Sequence, residues 1–147
     1  MPTIEAVTIL LIEDDRGHAR LIEKNLRRSN INNEIKVIDN GQSALDYLFK
    51  ERDYAQSNHH SPLLVLLDLN LPRLDGYQVL ERMKSDDRTK RIPVIILTTT
   101  DDSREVARCY QLGCNVYITK PVNYEHFSEA IRKMGLFLSI VTVPNGE

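Results

Sequence analysis

Four short apolar runs in this sequence each end in side chains that can do chemistry. TILLI (8–12) leads into Glu13, Asp14 and Asp15, and LLVLL (63–67) leads into Asp68. VIIL (94–97) leads into Thr98, Thr99 and Thr100, and VYIT (116–119) leads into Lys120. An acid closing a strand is equally well read as a solvated terminus, so Asp68 alone decides nothing. The set says more. Carboxylates joined by a carbonyl suit a hard divalent cation such as Mg²⁺, which prefers oxygen ligands and keeps several waters. A cation so held can neutralise a phosphoryl group, and a carboxylate can be the nucleophile that accepts it. Lys120 would pair with one phosphoryl oxygen, and the Thr98 hydroxyl would donate to another.

These groups must be brought to one edge by the elements that carry them. The run Leu63–Leu67 is too short for a buried helix and fits a strand covered on both faces. Pro72 and Asp75-Gly76 then break the chain and start a helix, with Asp75 as N-cap and Gln78 as its capping-box partner. The run 8–12 predicts a second strand. At about 5 Å and an effective dielectric near 20, each like-charged pair among its three acids costs roughly 3 kcal/mol, so something cationic belongs among them. Asp15 serves as cap for a helix over 16–29, with Ala19, Ile22 and Leu26 on its apolar face. That accounts for one acid of the three.

Further strands are expected at 34–38, 94–97 and 116–119, and further helices around the Ala44, Leu45, Leu48 and Phe49 stripe, over 77–85, and after Asp102. Asp102 and Glu105 read as a capping box, and Gly113 closes that helix. A last helix runs from about Tyr124 to Ile140. Five alternations of strand and helix predict one domain over 1–147: an α/β, doubly wound, five-stranded parallel sheet. Open sheets of this kind place their chemistry at the carboxyl ends of central strands.

Composition narrows the partners. With 41% hydrophobic residues the chain supports one respectable core, and a net charge of -2 gives no basic surface for nucleic acid. Cys109 and Cys114 read as small buried hydrophobes of a reduced cytoplasmic protein. The adjacent pair His59-His60 lacks ligand spacing and reads as part of a solvated loop over 51–62. No run is long enough to span a membrane, and no signal peptide is apparent.

In order and position, LLIEDD, LLDLNLPRLDG, VIILTT and YITKP closely resemble the motifs of receiver domains of two-component response regulators, over essentially the whole chain. The resemblance implies the (βα)5 flavodoxin-like receiver fold, with Asp68 as phosphoacceptor. It implies Glu13 and Asp14 as metal-binding acids beside Asp68, with the Asn70 backbone carbonyl as a further ligand of Mg²⁺. Thr98 and Lys120 look like the switch hydroxyl and the phosphate-pairing lysine, and Tyr117 stands at the aromatic switch position. A domain of this kind signals rather than acting as an enzyme, assisting only its own phosphorylation and dephosphorylation. The partner implied is a sensor histidine kinase.

A narrower resemblance lies in ERDYAQSNHHSPLLVLLDLNLP, RIPVIILTT and FLSIVTVP, which look like the single-domain regulators of cyanobacterial phytochrome kinases. One departure is Thr99, where many receivers have Ala or Gly. Its branched side chain is expected to narrow access to Asp68 and slow small phosphodonors. Other readings stay open. An aspartyl-phosphate phosphohydrolase needs an acid two residues after the nucleophile, where Asn70 stands. A flavodoxin-like FMN carrier needs a phosphate loop where Glu13, Asp14 and Asp15 would repel it. A pseudo-receiver usually lacks an acid or the lysine.

The chain ends without room for a DNA-binding domain, so output by protein contact or onward phosphotransfer is expected. In the last helix, Phe127, Ile131, Met134 and Leu138 form a core-facing seam, while Phe137, Ile140 and Val141 are apolar as well. That excess, together with the resemblance, implies a homodimer through the last helix.

Overall fold

The structure is a computed structural model that describes residues 8–28, 31–55, 63–99, 102–120, 125, 126 and 129. Its strands are β1 (Thr8–Ile12), β2 (Ile35–Ile38), β3 (Leu63–Asp68), β4 (Val94–Thr98) and β5 (Val116–Thr119). They form one parallel sheet in the order β2-β1-β3-β4-β5. Between them lie α1 (Arg16–Arg28), α2 (Gly41–Phe49), α3 (Gly76–Lys84) and α4 (Ser103–Leu112). The expected doubly wound α/β sheet is present.

The strands read as unbroken apolar runs because both faces are covered. Alternate residues feed two cores. Leu10, Ile12, Val65, Leu67, Val94 and Ile96 pack with Ala44, Leu45 and Leu48 of α2 and Val79, Leu80 and Met83 of α3. Ile9, Leu11, Leu64, Leu66, Ile95 and Leu97 pack on the other side with Ala19, Ile22 and Leu26 of α1. Each such fully buried Leu or Ile contributes roughly 1.5–3 kcal/mol, so the central strands are the most firmly held part of the molecule.

Local chemistry sets the element ends. Asp15 Oδ1 accepts from the His18 amide and starts α1. Asn40 caps α2 through Ser43 N, and Asp75 with Gln78 forms the expected reciprocal box. Asp102 caps α4 through Arg104 N, while Glu105, expected as its partner, accepts the Tyr77 hydroxyl at 3.2 Å and so ties α4 to α3. Gly113 ends α4 in the left-handed conformation, φ 109°. Strand β2 begins one residue later than expected, although Glu34 still lends its carbonyl to Ile9 N.

Cys109 and Cys114 are free and buried. Among the described residues no helix is long and apolar enough to cross a membrane. The seam and apolar excess of the last helix (Phe127, Ile131, Met134, Phe137, Leu138, Ile140, Val141) lie outside the described residues, as do His59 and His60.

Candidate functional site

The strand order dictates where a site can form. From β1 the chain moves outward to β2, then returns to place β3 on the other side of β1. Connections therefore leave β1 and β3 in opposite directions, which opens a crevice at their carboxyl ends. Glu13 follows β1 and Asp68 closes β3, so both acids stand at that crevice.

Carboxylate oxygens of Glu13, Asp14 and Asp68 lie within 4.8 Å of one another. Glu13 and Asp68 are buried and Asp14 is exposed. The cation expected among the acids is Lys120. Its Nζ donates to Glu13 Oε1 at 2.6 Å and sits 3.6 Å from Asp68 Oδ2. Burial pushes the Glu13 carboxyl above its ordinary range and the Asp68 charge adds to this, while the hydrogen bond from Lys120 works against it. The Asp15 amide donates to Glu13 Oε2 at 3.2 Å, and the Asn70 amide donates to Asp68 Oδ1 at 3.1 Å. Three acids, one exposed, around a crevice open to water form a donor set that fits a hard divalent cation.

Strand register delivers the remaining groups. Asp68 pairs with Leu97, so Thr98 is one residue farther along the edge; Thr98 in turn pairs with Thr119, one residue before Lys120. The Lys120 amide donates to the Thr98 carbonyl at 2.7 Å, which fixes the main chains of these two residues to each other. Thr98 is buried and Thr99 is exposed. Tyr117 is half-buried, with its ring edge-to-face against Tyr110 at 6.0 Å.

A family model described as the response regulator receiver domain matches residues 9–132. This chain belongs to the response regulator receiver family. Response regulator Rcp1 of Synechocystis sp. is 37% identical to this receiver, over 92% of each chain. The crystal structure of the Mn(2+)-bound form of Rcp1 aligns over 98% of this receiver and 100% of that chain, at a TM-score of 0.75 and 35% identity. The bacteriophytochrome response regulator AtBRR aligns over 90% of this receiver and 95% of that chain, at a TM-score of 0.83 and 38% identity. A response regulator receiver domain from Rhodospirillum rubrum is 58% identical, covering 94% of this receiver and 97% of that chain at a TM-score of 0.74. The resemblance to phytochrome response regulators read from the sequence is therefore a finding, and the fold is that of the receiver family.

The receiver gathers Glu13, Asp14, Asp68, Asn70, Thr98 and Lys120 at one edge, with Tyr117 on the last strand of the sheet. Two contributors were not read from the sequence. Gly76 lies so close to the end of β3 that a Cβ there would meet the Asp68 carbonyl at 2.5 Å and Leu69 Cα at 2.6 Å. The Asp75-Gly76 pair signalled a helix start, and its second meaning is visible only once α3 is laid against the end of β3. His18 lies with Nδ1 3.4 Å from Lys120 Nζ across 102 positions of sequence, and no local pattern marks it.

Proposed function

We propose that this receiver is a phosphorylation switch in which Asp68 accepts a phosphoryl group from the phosphohistidine of a sensor histidine kinase. An Asp68 carboxylate oxygen forms the new bond to phosphorus as the phosphorus–nitrogen bond breaks, and the kinase imidazole leaves and recovers a proton. Glu13, Asp14, Asp68 and the Asn70 carbonyl would hold Mg²⁺, which when bound would supply positive charge to neutralise the phosphoryl oxygens. Lys120 leaves Glu13 for one of those oxygens, and the Thr98 hydroxyl donates to another. The observation that carries this reading is the close approach of the Glu13, Asp14 and Asp68 carboxylates with the Lys120 ammonium between two of them.

Drawing Thr98 toward the phosphoryl group frees space beside Tyr117, which then turns inward; this is a two-state element biased by local charge. Its ring now rests on Tyr110, an exposed residue of α4, so the turn changes the surface formed by α4 and β5. That surface is one through which we expect two copies to associate. Kinship with the bacteriophytochrome response regulator AtBRR supports a phytochrome-type light sensor as the kinase. Output then passes by protein contact or by onward transfer of the phosphoryl group.

The test is Asp68→Asn, which keeps shape and removes the nucleophilic charge. Phosphorylation by a phytochrome-type kinase in Mg²⁺ is expected to add one phosphoryl mass to the wild type and none to the variant, with the circular dichroism of both unchanged. Full phosphorylation of the variant by intact mass would overturn the assignment. Sedimentation of the wild type as a monomer at tens of micromolar, phosphorylated or not, would remove self-association from the reading.

A further inference from the structure

His18 takes no part in the chemistry described so far, yet its position bears directly on Lys120. It stands on the first turn of α1 with its side chain 52% exposed, and its Nδ1 faces two opposite charges. Lys120 Nζ is 3.4 Å away and Asp15 Oδ2 is 3.9 Å away. One nitrogen cannot serve both in the same protonation state. A neutral imidazole with its proton on Nε2 has a lone pair at Nδ1 and accepts from an ammonium; an imidazolium has an N–H there, donates to a carboxylate and repels a cation. The Lys120 ammonium has three N–H groups, and Glu13 Oε1, Asp68 Oδ2 and His18 Nδ1 are three acceptors around it.

We propose that His18 is a positioning residue for Lys120: neutral, it holds the ammonium back from a phosphoryl group on Asp68, and protonated, it turns to Asp15 and lets the ammonium go. The proposal rests on the reading of Asp68 as phosphoacceptor and Lys120 as its phosphoryl partner. Among the described residues, the charged groups facing the imidazole are Asp15 on its own turn and Lys120 from the end of β5, with Glu13 and Asp68 behind the lysine. Asp15 is ready to receive the imidazolium, because the His18 amide bonded to it at 3.0 Å holds its carboxyl below the usual range. A dianionic phosphoryl group draws Lys120 toward Asp68. Neutral His18 competes for one of the three N–H groups. Imidazolium does not compete, and it adds a positive charge on the same side. Protonation of His18 therefore favours the phosphorylated form.

The experiment uses the full chain at saturating Mg²⁺ with phosphoramidate as donor, comparing wild type, His18→Ala and His18→Asn. Asn places a neutral acceptor near the position of Nδ1 and does not ionise. Dividing the wild-type phosphorylation rate by that of His18→Asn at each pH cancels the donor's own titration. This ratio is expected to rise about threefold as acidification protonates the imidazole. At the alkaline end His18→Ala should react faster than wild type, and His18→Asn should return to the wild-type rate. A flat ratio in a wild type that does react would overturn the proposal. A second arm needs no phosphorylation: nitrogen NMR of labelled histidine in the free protein should show the Nε2–H tautomer of neutral His18, relaxing to mixed tautomers in Lys120→Met. A proton on Nδ1 of the neutral ring, or the same tautomer in Lys120→Met, would equally overturn it. Should the wild type fail to react with phosphoramidate, the Asp68 reading falls, while the spectra still decide whether His18 holds Lys120.

Discussion

The Lys120 ammonium lies 2.6 Å from Glu13 Oε1 and 3.6 Å from Asp68 Oδ2, so the lysine rests against the acid that follows β1 rather than the one that closes β3. A divalent cation at this site must therefore share Glu13 with an ammonium. Lys120→Met is expected to tighten Mg²⁺ binding by about 1–2 kcal/mol, roughly 5- to 30-fold, since it removes the competing charge. Calorimetry is the suitable measurement, because the chain has no tryptophan to report binding by fluorescence. Unchanged or weaker binding would mean that Lys120 and the cation do not compete.

The same acids make stability depend on the cation. At Mg²⁺ about 100 times its dissociation constant, the folded state should gain about 2.7 kcal/mol, which for a chain of this length is about 5–10 °C in melting temperature. Glu13→Gln should abolish most of that rise. The Glu13 carboxyl is held above its ordinary range chiefly by burial, so its ionised form at neutral pH weighs against folding. Glu13→Gln should accordingly not lower the melting temperature measured in chelator. A cation-induced rise as large in Glu13→Gln as in wild type would place the cation elsewhere.

Gly76 sets how closely α3 approaches the end of β3. A Cβ there would meet the Asp68 carbonyl at 2.5 Å, and backbone cannot give way as a flexible side chain can. Gly76→Ala is expected to cost about 1–3 kcal/mol by overpacking. It should also slow phosphorylation at saturating Mg²⁺, because the Asn70 amide that steadies Asp68 lies in the displaced loop. Urea denaturation gives the first quantity, and a variant as stable as wild type would show that the loop relaxes freely.

Tyr77 gives a pH signature on the alkaline side. Burial, followed by the hydrogen bond to Glu105, pushes its hydroxyl up to about 12. A group whose folded value is raised contributes stability that is complete below its unfolded value, about 10 for tyrosine, and is lost as pH rises through the folded value. Stability should therefore fall between about pH 10 and pH 12, and Tyr77→Phe should fall less over that window. An equal fall in both proteins, followed by denaturation at fixed pH, would show that the Tyr77–Glu105 bond is not formed in solution.

The sequence made the architecture legible because each central strand is apolar without interruption and each ends in a polar group. Asp68, Thr98 and Lys120 could be assigned to one edge before any coordinates, since parallel strands separated by helices must all end on the same side. The arrangement within that edge was less accessible. That Lys120 bonds to Glu13 more closely than to Asp68 depends on how the residues after β5 turn, and no spacing encodes it. Glu105 shows the same limit. Its position three residues after Asp102 signals a cap partner, but packing of α4 on α3 brings the Tyr77 hydroxyl within its reach. His18, and the second role of Gly76, escaped notice because those roles exist only in contacts between separate elements.

Glu13 and Lys120 are 107 positions apart, and Lys120 follows the strand at the far edge of the sheet. During synthesis the three acids leave the ribosome well before the lysine. Until β5 docks, these acids lack the Lys120 counter-charge, and a divalent cation from solution can neutralise their mutual repulsion. Once β5 docks, Lys120 supplies part of that positive charge from within the chain. A cation taken up there during synthesis would serve as an escort for folding.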